Sequence, residues 1–127
     1  MQNKTVLIVE DNALNLKFFS DLLQAEGYDT LQAGDGEAAF VAAGTRRPDL
    51  ILMDLRLPGL SGFDAATRFK ADRDLASIPI VAVSALASKA DEARARSAGC
   101  VSYLRKPVSA SDLLEMVERV LESKPVL

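Results

Sequence analysis

The chain has no histidine, which removes the commonest general base and the commonest metal ligand before anything else is read. It has a single cysteine, Cys100, so neither a disulfide framework nor a zinc-ligand set can be assembled. Cys100 is expected to be a small buried residue of the last strand. The N-terminal stretch MQNKTVLIVEDN holds an apolar run far too short for a signal peptide, and no later stretch could span a bilayer. A cytoplasmic protein without membrane insertion is the expectation. There is no basic stripe, and the net charge is -3, so nucleic acid is not expected as a direct partner.

What is present points to one ordinary core. A length of 127 residues fits a single domain, and a hydrophobic fraction of 49% can stabilise it without staples. Five apolar runs, Val6–Val9, Tyr28–Ala33, Leu50–Met53, Ile80–Ser84 and Val101–Leu104, alternate with helical patterns. The first, third and fourth are nearly continuous in Val, Ile and Leu, as strands covered on both faces by helices are. In the first helical segment Leu14, Phe18, Leu22 and Ala25 recur on one face, and Gly27 suits its C-terminal cap. Later segments open on Ser61-x-x-Asp64, Ser88-x-x-Asp91 and Ser109-x-x-Asp112, in which the serine can cap a free N–H and the acid sits in the first turn. Gly99 closes the fourth helix, and Leu113, Met116, Val117, Val120 and Leu121 form the buried stripe of the fifth. The fold class is α/β: a doubly wound five-stranded parallel sheet flanked by five helices. The chain stops just after the fifth helical pattern, so a single domain over residues 1–127 with no output domain is expected.

In such sheets ligands bind beyond the carboxyl ends of the strands. The first strand ends in Glu10-Asp11, the third in Asp54, the fourth in Ser84-Ala85, and the fifth runs into Lys106-Pro107. One such polar residue is unremarkable; four of five strand ends together are not. Three clustered carboxylates repel one another unless a cation neutralises them, and Mg²⁺ suits hard oxygen ligands. A carboxylate beside that cation can attack phosphorus and become an acyl phosphate. Such a transfer is mostly positioning and charge neutralisation, for which Lys106 and Ser84 supply an ammonium and a hydroxyl. With no histidine here, a phosphohistidine would have to come from a partner.

The motifs VEDN at residues 9–12, MDLRLPGLSG at 53–62, VSA at 83–85 and RKP at 105–107 resemble, as an ordered set, the receiver domains of two-component response regulators. The resemblance implies the CheY-like form of the flavodoxin-like fold, with strand order 2-1-3-4-5. It implies Asp54 as phosphoacceptor, and Asp11, Asp54 and the backbone carbonyl of Arg56 as Mg²⁺ ligands, with Glu10 acting partly through water and Mn²⁺ as a substitute. It further implies Ser84 and Tyr103 as the switch pair, Lys106 as the phosphoryl contact, and a cis bond between Lys106 and Pro107. VLIVEDNALNLKFFSDLLQAEGYDTLQ and PDLILMDLRLPGLSG are similar to stand-alone receivers of the DivK type, which act in cell-cycle and cell-fate control. A receiver excised from a hybrid histidine kinase would look alike. The implied function is a phosphorylation switch that catalyses its own phosphoryl transfer and slow dephosphorylation. Its phosphodonor would be a histidine kinase or histidine phosphotransfer protein docking near Asn15 and Phe19. Its target would meet the face of the fourth helix, fifth strand and fifth helix, exposing Lys89, Arg94, Tyr103 and Arg105. A monomer, or at most a weak dimer, is expected.

Arg56 and Leu86 are expected to flank the path of hydrolytic water. The segment ASKADEARARSAG has no apolar side chain larger than alanine, so a loosely held fourth helix is expected. Rival readings fit less well. A flavodoxin-like electron carrier needs a Gly- and hydroxyl-rich phosphate loop, whereas EDNALN would repel FMN phosphate. A haloacid-dehalogenase-like enzyme needs a second acid two residues after the first, where this chain has Arg56.

Overall fold

A computed structural model describes residues 3–85 and 88–122. Five strands, β1 (Thr5–Val9), β2 (Asp29–Ala33), β3 (Leu50–Asp54), β4 (Ile80–Ser84) and β5 (Ser102–Arg105), alternate with five helices. These are α1 (Ala13–Ala25), α2 (Gly36–Thr45), α3 (Gly62–Ala71), α4 (Lys89–Ser97) and α5 (Ala110–Glu122). The sheet runs β2-β1-β3-β4-β5, and every pairing is parallel. The expected doubly wound sheet and its strand order are therefore present.

The strand period of two divides the core. Leu7, Val9, Ile51 and Met53 pack with Ala39, Ala43, Phe63, Ala66, Phe69 and Ala95 on the side of α2, α3 and α4. Val6, Ile8, Leu50, Leu52, Val81 and Val83 pack with Phe19, Leu23, Leu113 and Val117 on the side of α1 and α5. The fully buried leucines of β3 alone contribute about 2 kcal/mol each from burial, which locks the strand that ends at Asp54.

α1 turns a different face inward from the one its apolar repeat suggests. Leu14 is 79% exposed and Phe18 41%, while Phe19, Ser20 and Leu23 are buried. The buried stripe is Leu16-Phe19-Ser20-Leu23, which a serine disguises in the sequence. Ser20 is tolerated because its Oγ lies 3.1 Å from Thr30 Oγ1 and accepts from Gln24 Nε2 and Gln32 Nε2, both at 3.0 Å. Phe19 is thus largely a core residue, and its neighbour Phe18 is the more exposed of the two.

Elsewhere the punctuation reads as written. Ser61, Ser88 and Ser109 accept from the backbone N–H groups of Asp64, Asp91 and Asp112 at 3.1, 3.0 and 3.1 Å. α2 has a cap not anticipated from the sequence: Asp35 Oδ1 accepts from the Ala38 N–H at 2.8 Å. Gly27 and Gly99 follow α1 and α4 with φ of 94° and 107°, a region that favours glycine. β5 begins one residue later than the apolar run, with Val101 49% exposed, so buried Cys100 lies in the turn before the strand. Burial lifts the Cys100 thiol to about 11, which leaves it an inert core group.

Candidate functional site

The parallel pairing brings the C-terminal ends of β1, β3 and β4 to one rim. Glu10 continues the β1–β2 ladder, its N–H donating to Ala33 O at 3.0 Å. Asp54 closes β3, paired with Val83, and the following Leu55 N–H donates to Val83 O at 3.2 Å. The Lys106 N–H donates to Ser84 O at 2.9 Å and so ties the end of β5 to the end of β4. The Lys106–Pro107 bond is cis, as expected.

These connections gather the polar groups. Oxygen atoms of Glu10, Asp11 and Asp54 all lie within 4.8 Å of one another. Lys106 Nζ donates to Glu10 Oε1 at 2.7 Å and to Asp54 Oδ2 at 2.9 Å. The other oxygens are held by backbone: the Asn12 N–H donates to Glu10 Oε2 at 3.1 Å, and the Arg56 N–H to Asp54 Oδ1 at 2.9 Å. Glu10 and Asp54 are buried, and Asp11 is exposed at the mouth. Ser84 is fully buried, whereas Tyr103 is half-buried against the core beneath α3 and α4. The Arg56 side chain is exposed, and Leu86 lies outside the described residues.

Burial and charge pull on this group in opposite senses. Burial lifts the Glu10 carboxyl above the usual carboxylate range; the Lys106 ammonium opposes it and the neighbouring Asp54 adds to it. Burial alone would lower Lys106, but its hydrogen bonds to Glu10 and Asp54 win and hold it above an ordinary lysine. The outcomes differ because Lys106 has two carboxylate partners, whereas Glu10 has one ammonium and a second carboxylate beside it. One ammonium faces three carboxylates here, so the cluster keeps a net negative charge.

Gly62 completes the site, and its role is not apparent from sequence beyond the turn it closes. A Cβ there would lie 2.2 Å from Asp54 O and 2.5 Å from Leu55 Cα, so any side chain would displace the end of β3. The Gly62 N–H also donates to Leu55 O at 3.1 Å, which closes the loop from Asp54 back onto itself. The spacing of eight residues gives no hint of this approach; only the fold does. Beside the rim a depression of about 450 Å³ is lined by Asn15, Phe18, Phe19, Ala85, Lys106, Pro107 and Val108. Exposed Phe18, with Leu14 one turn earlier, takes the surface place expected for Phe19.

Residues 6–118 match the sequence profile of the response regulator receiver domain. The polar-differentiation response regulator DivK of Brucella anthropi is 46% identical over 118 residues, covering 93% of this chain and 96% of that protein. DivK of Brucella ovis is 45% identical over the same shares. Among solved structures, chemotaxis protein CheY4 of Vibrio cholerae is similar with a TM-score of 0.90 and 27% identity, covering 94% of this chain and 99% of that one. The receiver domain of the sensor histidine kinase PA1611 of Pseudomonas aeruginosa aligns with a TM-score of 0.88 and 34% identity, covering 96% and 100%. That structure has a magnesium ion coordinated in its active site cleft.

Proposed function

Because the chain belongs to the response regulator receiver family, we propose that it is a phosphorylation switch that accepts a phosphoryl group from a phosphohistidine donor on Asp54. The observation that carries this reading is Lys106 Nζ held between Glu10 Oε1 and Asp54 Oδ2, with Asp11 alongside. The residues fit Mg²⁺: three carboxylates offer hard oxygens within 4.8 Å of one another, with one ammonium against three charges. Asp11 and Asp54 with the Arg56 carbonyl would hold the ion directly and Glu10 through water, Mn²⁺ serving as a substitute. When bound, the ion neutralises charge on the phosphoryl oxygens.

The chain's own residues do the rest. Asp54 attacks phosphorus; the new O–P bond forms as the N–P bond breaks, and the electron pair leaves with the imidazole nitrogen. The Arg56 N–H holds Asp54 Oδ1 and so presents the carboxylate in one orientation. Lys106 is already on Asp54 Oδ2 and follows the incoming charge to a phosphoryl oxygen. Ser84 closes β4 with its hydroxyl as donor to another phosphoryl oxygen, and Tyr103 on the neighbouring strand answers its movement. Hydrolysis returns the carboxylate slowly, with Arg56 at the mouth.

The donor docks by a helical, partly apolar surface on Leu14, Phe18 and the depression that opens toward Lys106. The target meets the face of α4, β5 and α5, where Lys89, Arg94 and Arg105 are exposed. By analogy with the DivK relatives, the setting is cell-fate control in the cytoplasm by a single receiver, monomeric or weakly dimeric. The test is incubation with Mg²⁺ and acetyl phosphate, then with a phosphorylated histidine phosphotransfer protein. A base-labile gain of about 80 Da, absent in Asp54→Asn, is expected. No gain from either donor refutes the function.

A further inference from the structure

Arg94 is exposed on α4, but it is not a plain solvated charge. Its guanidinium carbon lies 4.0 Å from the centre of the Phe63 ring on α3. Such a cation is attracted to the ring's electron-rich face. Phe63 is 6% exposed and packs in the core with Ala66, Phe69 and Ala95. It directly follows Gly62, which leaves no room for a Cβ beside the Asp54 carbonyl and whose N–H donates to Leu55 O. The ring is therefore built onto the same loop that carries Asp54. Among the described residues α4 has little else to hold it, since Ala95 is its one buried residue.

We propose that the Arg94–Phe63 contact is a latch through which α4 senses the Asp54 loop, and that Arg94 is a positioning residue of the switch. Unmodified, the loop keeps the ring under the guanidinium and α4 stays seated. A shift of the loop moves the ring, and α4 is left with Ala95 as its remaining anchor. Coupling of this kind is reciprocal, so loosening the latch favours the phosphorylated arrangement. The coupling to phosphorylation rests on the function proposed above; the latch itself does not.

Hydrogen exchange of residues 89–97 in the unmodified protein tests the latch. Arg94→Ala is expected to speed it about fivefold to tenfold, while Arg94→Lys keeps a cation and falls between wild type and the alanine variant. Arg96→Ala, which removes a charge from the same helix, is expected to match wild type. Phe63→Leu reproduces Arg94→Ala, and the double variant exchanges no faster than either single one. The acetyl phosphate concentration for half-maximal modification falls by a similar factor in Arg94→Ala. Unchanged exchange in Arg94→Ala, equal effects of Arg94→Ala and Arg96→Ala, or additive effects in the double variant overturn the latch. Faster exchange with an unchanged half-saturation overturns the coupling. A wild-type protein that takes no phosphoryl group yet shows the exchange pattern overturns the proposed function and the coupling, but not the latch.

Discussion

α3 and α4 start alike and are held very differently. Each follows the end of a core strand, and each opens on a Ser-x-x-Asp cap whose serine accepts the acid's N–H at about the same distance. α3 then buries Gly62, Phe63, Ala65, Ala66 and Phe69, whereas α4 buries Ala95 alone. Phe69 is further stacked on Phe40, with ring centres 4.3 Å apart. At the end of α3, Lys70 Nζ donates to Ala76 O at 3.0 Å and Ile78 O at 2.8 Å and fixes the chain entering β4. A cap decides where a helix begins; burial decides how firmly it stays. The rigid helix adjoins Asp54, where a nucleophile must be held still. The lightly held one lies on the face proposed for output, where movement can be read.

The comparison is broken most severely by emptying the firm side. Phe69→Ala is expected to cost about 4 kcal/mol, read as a fall in the urea midpoint, because it leaves a cavity under α2 and α3. Ala95→Gly removes one methyl and adds backbone freedom on α4, about 2 kcal/mol of helix stability in all, and is expected to show as faster exchange of residues 89–97 with a much smaller fall in the midpoint. Equal losses would mean that α4 is anchored by something other than its buried residues. The next largest effect is at the joint between Asp54 and α3. Gly62→Ala places a methyl against the Asp54 carbonyl and is expected to cost about 3 kcal/mol. Phosphoryl uptake should slow as well, since the strand end must shift. Unaltered uptake would show that the loop relaxes without moving Asp54.

Much of this contrast is legible in the sequence, and the rest fails for identifiable reasons. The strands, the three serine caps and the weak apolar content of α4 are local patterns, and they read correctly. The rim of Glu10, Asp11, Asp54 and Lys106 follows from topology alone, because parallel strands end on one side. The face of α1 misleads because Leu14-Phe18-Leu22 is as regular as the true stripe, whose Ser20 is made compatible with burial by Thr30, Gln24 and Gln32 from outside its own turn. The roles of Gly62 and Arg94 depend on what lies across a loop or a helix gap, which no spacing along the chain encodes.

The strands that feed the two helices differ in charge, which sharpens the comparison at smaller scale. β3 ends on a buried carboxylate beside two others, and β4 on the neutral Ser84. Asp54→Asn in EDTA is expected to raise stability by about 1 kcal/mol, since it removes one of three repelling charges. Lys106 is not orphaned by the change, because Glu10 Oε1 still holds it at 2.7 Å. The gain should shrink when Mg²⁺ is added, because the wild type is then neutralised by the ion. A loss of stability in EDTA would mean that the bond from Lys106 to Asp54 outweighs the repulsion.

The finest test uses the feature the two helices share. Replacing a capping serine by alanine typically costs about 1 kcal/mol wherever it stands. On α3 that cost must appear in global unfolding, because α3 cannot open without exposing Phe63 and Phe69. Ser61→Ala should therefore lower the urea midpoint and speed exchange only through global opening. On α4 the same loss can be taken up locally, since opening exposes little beyond Ala95 and the stacked Arg94. Ser88→Ala should leave the midpoint within about 0.5 kcal/mol of wild type and speed exchange in residues 89–97 about fivefold. If both variants lower the midpoint equally, α4 unfolds with the core, and the division of labour between the two helices does not hold.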